Sequence, residues 1–338
     1  MIKKLSAILV SVAISGSVFA KTEAEFNTYV SGLKQEALAK GYQQVLVDKA
    51  FADIKFKEKV VKADKNQPEV VETLETYLPK RVPQWKVDRA RALYKEHQPL
   101  LEKIAANYGV QARFIVALWG LESNFGKVQG SFPVISSLVT LAFDGRREEM
   151  YKRQLWAALD ILKEGHIDFD RFKGSWAGAM GQTQFMPTSF NSYAVDYNGD
   201  GRKDIWTTTE DAFASIANYL KQVGWNDDLT WGRQVKLPEQ YQPEWIVKRG
   251  TKTREEWLAA WNKSERSLTE WQALGLRRMD GKDLPVTDLK AALVMPDNEK
   301  GRMYLAYDNY KVLMHWNRSY YFATSVGYLS DRIGYPKI

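Results

Sequence analysis

The segment Phe114–Leu121, FIVALWGL, constrains the fold more than any other part of the chain, because it is apolar on every side. A helix of this composition is buried all around, so it belongs in the centre of a helical domain. It is too short to cross a membrane, which takes about 20 apolar residues. The chain has 338 residues and 45% hydrophobic content, enough to build a core around this helix, shared between two or three lobes.

Glu122 follows this apolar segment directly, and Gly126 is a plausible C-cap of the helix. Burial disfavours an ionised carboxylate, and so does the negative end of a helix dipole. Both effects raise the pKa, which is what a general acid requires near neutral pH. The position alone also fits a glutamate that ends the helix in solvent, so the neighbouring motifs decide between the two interpretations.

The N-terminus has the pattern of a secretory signal peptide. Lys3 and Lys4 precede the uncharged run 5–19, and Val18-Phe19-Ala20 is a small-x-small cleavage signal. We therefore expect cleavage after Ala20 and a periplasmic protein without a membrane anchor; an uncleaved anchor helix is the alternative. The sequence has no cysteine, which excludes disulfides, thiolate metal sites, cysteine nucleophiles and a lipid-modified cysteine.

The net charge of +7, from 48 basic and 41 acidic residues, suits an anionic partner, although it also fits solubility alone. Nucleic acid is not expected, because the protein is exported and its charges are scattered. An anionic cell-wall polymer is the better candidate partner, because an exported protein reaches the compartment that contains it. The 12 tryptophans and 17 tyrosines suit carbohydrate, whose faces are apolar and whose edges are polar.

The predicted fold class is mainly α (α+β), with five regions along the chain. Residues 1–20 form the signal peptide, 21–109 an N-terminal helical region, 110–231 the motif-rich core, 232–316 a small α+β lobe, and 317–338 a C-terminal helix that returns to the helical body.

The predicted elements of the small lobe are short and bounded by Pro, Gly or Asp. Segments 253–262, 267–274 and 319–333 are predicted as helices, as are 85–108 and 211–223 nearer the N-terminus. The segments predicted as strands are 234–237, 245–248, 291–295, 302–307 and 311–314.

Two long motifs resemble those of the lytic murein transglycosylases, most closely the B type. They are Glu122–Gly126, ESNFG, and Gly174–Pro187, GSWAGAMGQTQFMP. Gln67-Pro68-Glu69, Ser137–Phe143 and Asn317-Arg318-Ser319 add to the resemblance, which runs from about residue 66 to 334. It implies a lysozyme-like catalytic core.

The resemblance implies that Glu122 cleaves the β-1,4 bond between N-acetylmuramic acid and N-acetylglucosamine in peptidoglycan. Glu122 would protonate the glycosidic oxygen and then accept the proton of the muramoyl C6 hydroxyl, which attacks its own anomeric carbon. The product is a 1,6-anhydro sugar, formed without water. Ordinary glycosidases use two carboxyl groups, whereas here the substrate would supply the second nucleophile.

The resemblance also implies a set of substrate-binding residues. At Trp316 and at Phe322 the family often has tyrosine, so this chain keeps stacking there but not a phenol. Ser175 and Gln184 also fit a turn serine and a capping amide, and the arginine pair also fits a solvated surface pair. The set comprises Ser175, Gln184, Arg146, Arg147, Met180, Tyr219, Trp316 and Asn317.

The acidic loop 196–204, DYNGDGRKD, matches the first half of an EF-hand loop, with oxygen ligands at alternate positions and Gly201 at the sharp turn. The regular closing position holds Thr207, so Asp211 is the favoured closing ligand and Glu210 its competitor. The resemblance implies a lengthened loop that binds a structural Ca²⁺. A metal-free Asx-rich turn is the alternative. The expected ligands are Asp196, Asn198, Asp200, Arg202 and Asp211.

Two other functions share these features. A hydrolytic muramidase would use Glu122 but deliver water to the anomeric carbon. A non-catalytic protein would bind peptidoglycan glycan strands, possible partners including other cell-wall enzymes. His97, His166 and His315 are too scattered for a zinc site or a Ser/His pair, and we interpret them as structural or exposed.

Overall fold

The computed structural model describes residues 22–65, 72–247, 250–251, 253–297 and 301–334. The predicted signal peptide and the Gln67-Pro68-Glu69 motif lie outside these residues. No helix in the described ranges is long and apolar enough to cross a membrane.

The described chain is mainly helical, as predicted, with one small sheet and a two-stranded pair. Its helices are α1 (Glu23–Ala39), α2 (Gln44–Ala50), α3 (Glu58–Lys65), α4 (Leu74–Arg81), α5 (Gln84–Glu96), α6 (Gln98–Tyr108), α7 (Ala112–Ser123), α8 (Val134–Asp144), α9 (Glu148–Lys163), α10 (Pro187–Tyr193), α11 (Thr209–Gln222), α12 (Arg254–Ser264), α13 (Leu268–Ala273), α14 (Asp308–Trp316) and α15 (Tyr320–Gly334). The strands are β1 (Phe132–Pro133), β2 (Lys173–Gly174), β3 (Gly232–Lys236), β4 (Arg266–Ser267), β5 (Arg277–Arg278), β6 (Lys290–Val294) and β7 (Met303–Ala306).

Helix α7 is the central helix, as its all-apolar sequence predicts. Its residues from Ala112 to Gly120 are buried, and α5, α6, α11 and α15 pack around it. This arrangement explains why the segment has no polar face, since each side of the helix meets another helix. The large core that surrounds α7 runs from Phe26 in α1 to Leu329 in α15.

Helix α15 returns to the helical body and packs against α7, α5 and α4. Its side chains from Phe322 to Val326 are buried, and Gly327 lies so close to the Trp231 ring that an added Cβ would come within 2.2 Å of it. The last helix of the chain therefore supports the central helix directly.

The small lobe contains a five-stranded antiparallel sheet with the strand order β4-β6-β7-β3-β5. Its own cluster of buried residues includes Val235, Trp271, Leu293 and Leu305. The predicted strands 234–237, 291–295 and 302–307 correspond to β3, β6 and β7, and the predicted helices 253–262 and 267–274 to α12 and α13.

Two predicted strands were wrong, and one predicted helix is divided. Segment 311–314 lies inside α14, because Val312, Leu313 and Met314 pack into the large helical core at helical spacing. Segment 245–248 starts at the last residue of a 3₁₀ turn; in its described part, 245–247, Ile246 forms an isolated bridge with Leu293, and residue 248 lies outside the described residues. The stretch 85–108 breaks at His97 into α5 and α6.

The boundaries proposed between the regions stay a prediction. Residues 110–231 carry α7 to α11, and the sheet falls within 232–306. Helix α14 lies in sequence within the proposed small lobe, but its residue Tyr310 belongs to the large helical core.

Candidate active site

Glu122 lies in the last turn of α7, and the helix ends immediately after it. Asn124 and Phe125 both adopt left-handed backbone conformations, with φ of 50° and 60°. Non-glycine residues seldom take this conformation, and such strain is found at functional sites. Ser123 supports the turn, since its Oγ donates to the Trp119 carbonyl and accepts the Gly126 amide at 3.0 Å.

The Glu122 carboxyl is partly exposed but largely surrounded by protein, and Trp316 is its hydrogen-bond donor. The indole Nε1 of Trp316 donates to Glu122 Oε1 at 2.6 Å. Burial raises the pKa of Glu122 to about 7, and the indole hydrogen bond opposes this rise because it favours the ionised form. A substantial fraction of Glu122 therefore carries its proton at neutral pH, as a general acid requires.

The segment Gly174–Pro187 forms a compact set of turns beside the end of α7. The Ser175 amide donates to Ala179 O at 2.7 Å, and the Met180 amide to Phe185 O at 2.8 Å. Ser175 Oγ accepts the amides of Ala177 and Ala179 at 3.3 and 3.0 Å, which leaves its hydroxyl proton available for donation. Met180 is fully buried.

Gln184 adopts a left-handed conformation, with φ of 52°. Its side-chain amide donates to Gly181 O at 2.9 Å and to Gln129 O at 3.2 Å. The amide nitrogen is thus engaged by the backbone on both sides, while the amide oxygen is an acceptor that a ligand can use.

The glycines of this segment are required by packing. A Cβ on Gly178 would come within 2.7 Å of Leu138, and a Cβ on Gly181 within 2.6 Å of Ile205 O. Both glycines also have positive φ, of 89° and 64°. Close packing of the turns therefore accounts for both glycines.

An aromatic group adjoins the carboxyl. The ring of Trp316 lies 4.6 Å from that of Tyr219 and 5.3 Å from that of Phe185. Burial raises the pKa of Tyr219 far above its usual range, and the nearby Glu122 adds to this shift. Tyr219 OH lies 2.8 Å from His315 Nδ1 and 3.0 Å from His315 O. Three elements, α11, α14 and the Gly174–Pro187 segment, therefore meet at one group of rings.

Asn317 follows Trp316 and is exposed in an extended conformation. Its carbonyl accepts the Ser319 amide at 2.7 Å, and its own amide donates to Leu313 O at 3.0 Å. The backbone of Asn317 is therefore fixed at the end of α14, and its exposed side chain is free of the core.

Arg146 and Arg147 form ion pairs with Asp64 in α3. Arg147 also donates to Tyr151 OH at 2.9 Å, and Arg146 to the Asp64 carbonyl at 3.0 Å. Asp64 is almost completely buried, whereas the two arginine side chains are half exposed. The pair thus fastens α3 to the turn between α8 and α9, and its outer surface still faces solvent.

The acidic loop has the geometry of an Asx-rich turn. Asp196 accepts three backbone amides, those of Gly199, Asp200 and Gly201, at 2.7 to 3.1 Å. Asn198 Oδ1 accepts the Asp200 amide at 3.1 Å, and Asp200 Oδ1 accepts the Arg202 amide at 2.9 Å.

Asp211 closes this loop from α11. It is fully buried, and its two carboxylate oxygens accept the amides of Tyr197 and Asp204, both at 2.8 Å. Burial raises the pKa of Asp211 to about 6, backbone hydrogen bonds oppose the rise, and Asp196 adds to it. Glu210, the competing ligand, is exposed. No three His, Cys, Asp or Glu side chains in the described ranges lie close enough together to hold a metal ion.

Sequence reasoning missed several residues that build the site. Gln182 accepts the Trp119 indole at 2.8 Å, and Gln129 donates to Gly126 O and Trp206 O, both at 2.9 Å. His315, interpreted as structural or exposed, lies beside Tyr219, and Phe185 packs on Trp316. Gln182 and Phe185 lie within the quoted motif, but sequence alone does not show which side chains of a motif turn inward.

Comparison with known proteins identifies the class to which this fold, with a largely buried carboxyl group at the end of its central helix, belongs. The fold is the lysozyme-like fold of lytic transglycosylases. Residues 25–331 match the family model of the transglycosylase SLT domain, and the chain belongs to this family.

Particular relatives narrow the class. The chain is 29% identical over 259 residues to membrane-bound lytic murein transglycosylase B of Escherichia coli K12, covering 75% of this chain and 65% of that relative. The aligned part is thus less than two thirds of that relative's length.

Solved structures agree over a larger share of the chain. SltB3 of Pseudomonas aeruginosa, in complex with NAG-NAM-pentapeptide, superposes with a TM-score of 0.84 at 37% identity, covering 92% of this chain and 80% of that one. The lytic transglycosylase Slt35 of Escherichia coli, in complex with calcium, has a TM-score of 0.74 at 26% identity, covering 90% of this chain and 92% of that one.

Proposed function

We propose that this protein is a lytic transglycosylase that cleaves the β-1,4 bond between N-acetylmuramic acid and N-acetylglucosamine in peptidoglycan glycan strands. The observation that carries the proposal is the position of the Glu122 carboxyl group at the end of a buried helix, where burial raises its pKa to about 7. Membership of the transglycosylase SLT family and the similarity to a structure with a bound NAG-NAM-pentapeptide support it.

In the first step, protonated Glu122 gives its proton to the glycosidic oxygen. The bond to the anomeric carbon of the muramoyl residue then breaks, and the N-acetylglucosamine side leaves with the proton. The substrate's own acetamido group would stabilise the cationic centre, as the resemblance to the lytic transglycosylases implies, in place of the second carboxylate of ordinary glycosidases.

In the second step, ionised Glu122 accepts the proton of the muramoyl C6 hydroxyl as that oxygen attacks the anomeric carbon. The new bond closes the 1,6-anhydro ring, and Glu122 is again protonated for the next cycle. A pKa near the working pH suits both steps, because the same group must act first as an acid and then as a base.

The residues around Glu122 would bind the sugars. Ser175 has a hydroxyl proton to donate, and Gln184 an amide oxygen to accept. Trp316 is partly exposed and has a ring suited to a sugar face, and Asn317 offers an exposed amide at the same end of α14. Tyr219 is buried, so it would contribute by packing behind the Trp316 ring and not by contact with the sugar. Met180 would contribute through the backbone of its turn, since its side chain is fully buried.

Arg146 and Arg147 would bind a lactyl or peptide carboxylate only through their exposed outer edges. Asp64 already engages the inner side of both guanidinium groups. A guanidinium group has five donors, so occupation by Asp64 leaves some available. The main role that we propose for both arginines is structural, because they hold α3 through Asp64.

The acidic loop would bind one Ca²⁺ that stabilises the fold. The donors are all hard oxygens, which is what calcium prefers. The set would combine Asp196, Asp200 and Asp211 with the amide oxygen of Asn198 and the backbone carbonyl of Arg202. Because no three carboxylates of the described residues lie together in a metal-holding group, these side chains would have to move towards one another on binding. Asp211, buried and directed at the loop, is a better closing ligand than exposed Glu210.

The signal pattern in residues 1–20 and the expected substrate favour a periplasmic protein processed after Ala20. The proposal is tested by mass spectrometry of the N-terminus of protein recovered from a periplasmic extract. A first residue of Lys21 is expected, whereas an intact N-terminus in the membrane fraction would contradict processing and favour an anchor helix.

The test of function is mass spectrometry of muropeptides released from purified cell walls. Anhydromuramoyl products are expected, each lighter by one water than a hydrolytic product. Glu122→Gln is expected to release none, while its circular dichroism spectrum matches the wild type. Hydrated reducing ends would instead identify a hydrolytic muramidase, and wall binding without any release would identify a non-catalytic binding protein.

A further inference from the structure

We infer that Trp316 is a positioning residue that fixes the Glu122 carboxyl and assigns the proton transfers to its second oxygen, Oε2. The observation is the direct hydrogen bond from Trp316 Nε1 to Glu122 Oε1 at 2.6 Å. This inference deepens the proposed function by dividing the two carboxyl oxygens between two tasks.

The chemistry of the indole group sets this division. An indole N–H donates a hydrogen bond and accepts none, so Oε1 offers a lone pair to it in both protonation states of Glu122. A carbonyl oxygen is a better acceptor than a hydroxyl oxygen, so the indole favours the carbonyl form of Oε1 and places the catalytic proton on Oε2 when the group is an acid. When Glu122 is ionised, Oε2 is again the free oxygen, ready to accept the C6 hydroxyl proton.

The protein holds the indole ring rigidly enough for this task. Its ring packs on Tyr219 at 4.6 Å and on Phe185 at 5.3 Å. Tyr219 is in turn held through its hydroxyl by His315, the residue before Trp316. The donor thus comes from α14 and the acid from α7. Tyr219 of α11 and Phe185 pack against the indole ring and hold it in place beside the acid.

The Trp316 indole also adjusts the pKa of Glu122 between its two roles, as an acid and as a base. Burial favours the protonated acid, whereas the indole hydrogen bond favours the ionised base. Removing the donor but keeping an aromatic ring should therefore raise the pKa of Glu122. Hydrogen bonds to charged groups are strong enough to account for a change of about one pH unit.

The first experiment follows the tryptophan indole signals by ¹⁵N NMR in the wild-type protein as pH is varied. The Trp316 signal is expected to titrate with a midpoint of about 7, the pKa of its acceptor, and to lose this titration in Glu122→Gln. A Trp316 indole chemical shift that does not change between pH 5 and 9, about two units on each side of that midpoint, would overturn the inference. This measurement requires neither a substituted tryptophan nor any enzymatic activity.

The second experiment compares Trp316→Phe with a matched control, Trp261→Phe. Trp261 is fully buried, and its indole donates to Glu265 Oε1 at 2.9 Å, so this variant loses the same kind of hydrogen bond in α12. In protein labelled with ¹³C at the glutamate carboxyl, the pKa of Glu122 is expected to rise by about one unit in Trp316→Phe and to stay unchanged in Trp261→Phe.

Kinetics give a third readout that a simple sugar contact would not move. Activity falls as Glu122 loses its proton, so the alkaline limb of kcat/KM should shift upward by about one pH unit in Trp316→Phe, with kcat reduced about tenfold by the lost orientation. A raised KM with an unmoved alkaline limb would contradict the positioning role. If the wild type cleaves no glycan, the proposed function fails, while the two NMR titrations still decide the role of Trp316.

Discussion

The indole N–H of Trp119 donates to Gln182 Oε1 at 2.8 Å, and this bond ties the helix that carries Glu122 to the Gly174–Pro187 turns. Both side chains are buried. The amide nitrogen of Gln182 donates to Trp206 O at 3.4 Å. Gln182 also packs closely on Gly126, where an added Cβ would come within 2.6 Å of Gln182 Oε1. One glutamine therefore fills the space between helix α7, its C-terminal turn and the neighbouring segment.

Gln182→Ala is expected to lower the free energy of unfolding by about 1 to 3 kcal/mol, because it leaves the buried Trp119 N–H without its acceptor. Activity should fall as well, since the turns that flank Glu122 lose their common support. Chemical denaturation and a wall-lysis assay measure the two effects. Gln154→Ala is the control, because Gln154 makes comparable hydrogen bonds with Thr188 at the surface. Equal stability losses in both variants would argue against a special role for Gln182.

Glu122→Gln is expected to be more stable than the wild type at alkaline pH. The folded-state pKa of Glu122, about 7, lies above the ordinary value of 4.5, so the folded state binds the proton more tightly. The resulting stabilisation is fully present below about pH 4.5 and is lost as pH rises through 7. Glutamine cannot ionise and does not suffer this loss, although it still offers Oε1 to Trp316.

The difference between the two proteins should approach about 2 kcal/mol above pH 8, after allowance for residual solvent contact. It should disappear near pH 4, where Glu122 is protonated. Urea denaturation across this pH range measures it, and every other titrating group cancels in the comparison. A constant difference at all pH values would show that Glu122 has an ordinary pKa.

Ser175→Ala and Gln184→Ala are each expected to reduce kcat without abolishing it, because a group that orients one part of a sugar contributes a few kcal/mol at most. The two differ in stability. Gln184→Ala also loses hydrogen bonds to Gly181 O and Gln129 O, so its melting temperature should fall further. Steady-state kinetics and thermal melting give the comparison. Wild-type kinetics in both variants would exclude them from the binding site.

Calcium is expected to raise the melting temperature, because binding only to the folded state stabilises it by mass action. The shift should be lost in Asp200→Ala and in Asp211→Asn, and retained in Glu210→Gln, since Glu210 is exposed while Asp211 faces the loop. Wall lysis should proceed in chelator below the melting transition. Identical melting curves in calcium and in chelator, at equal ionic strength, would mean that the loop is a metal-free Asx turn.

Sequence patterns were informative wherever one local property decides the outcome. The unbroken apolar run Phe114–Leu121 predicted a buried helix, and the motifs around Glu122 favoured a partly desolvated carboxyl group over one that ends the helix in solvent. The alternation of short β-prone segments likewise predicted β3, β6 and β7. It failed at 311–314, because a short apolar run fits a strand or a helix, and packing into the helical core decides between them.

The sequence alone predicted the class of fold, the candidate acid Glu122 and the loop that could hold an ion. Tertiary structure decided what those residues contact. Trp316 follows Glu122 by almost two hundred positions, and no pattern in the chain joins them, yet their side chains meet at 2.6 Å. No pattern in the sequence shows an ion-pair partner for Arg146 and Arg147, but folding brings both to buried Asp64. Hydrophobic periodicity is local, whereas hydrogen bonds and ion pairs depend on which distant segments the core brings together.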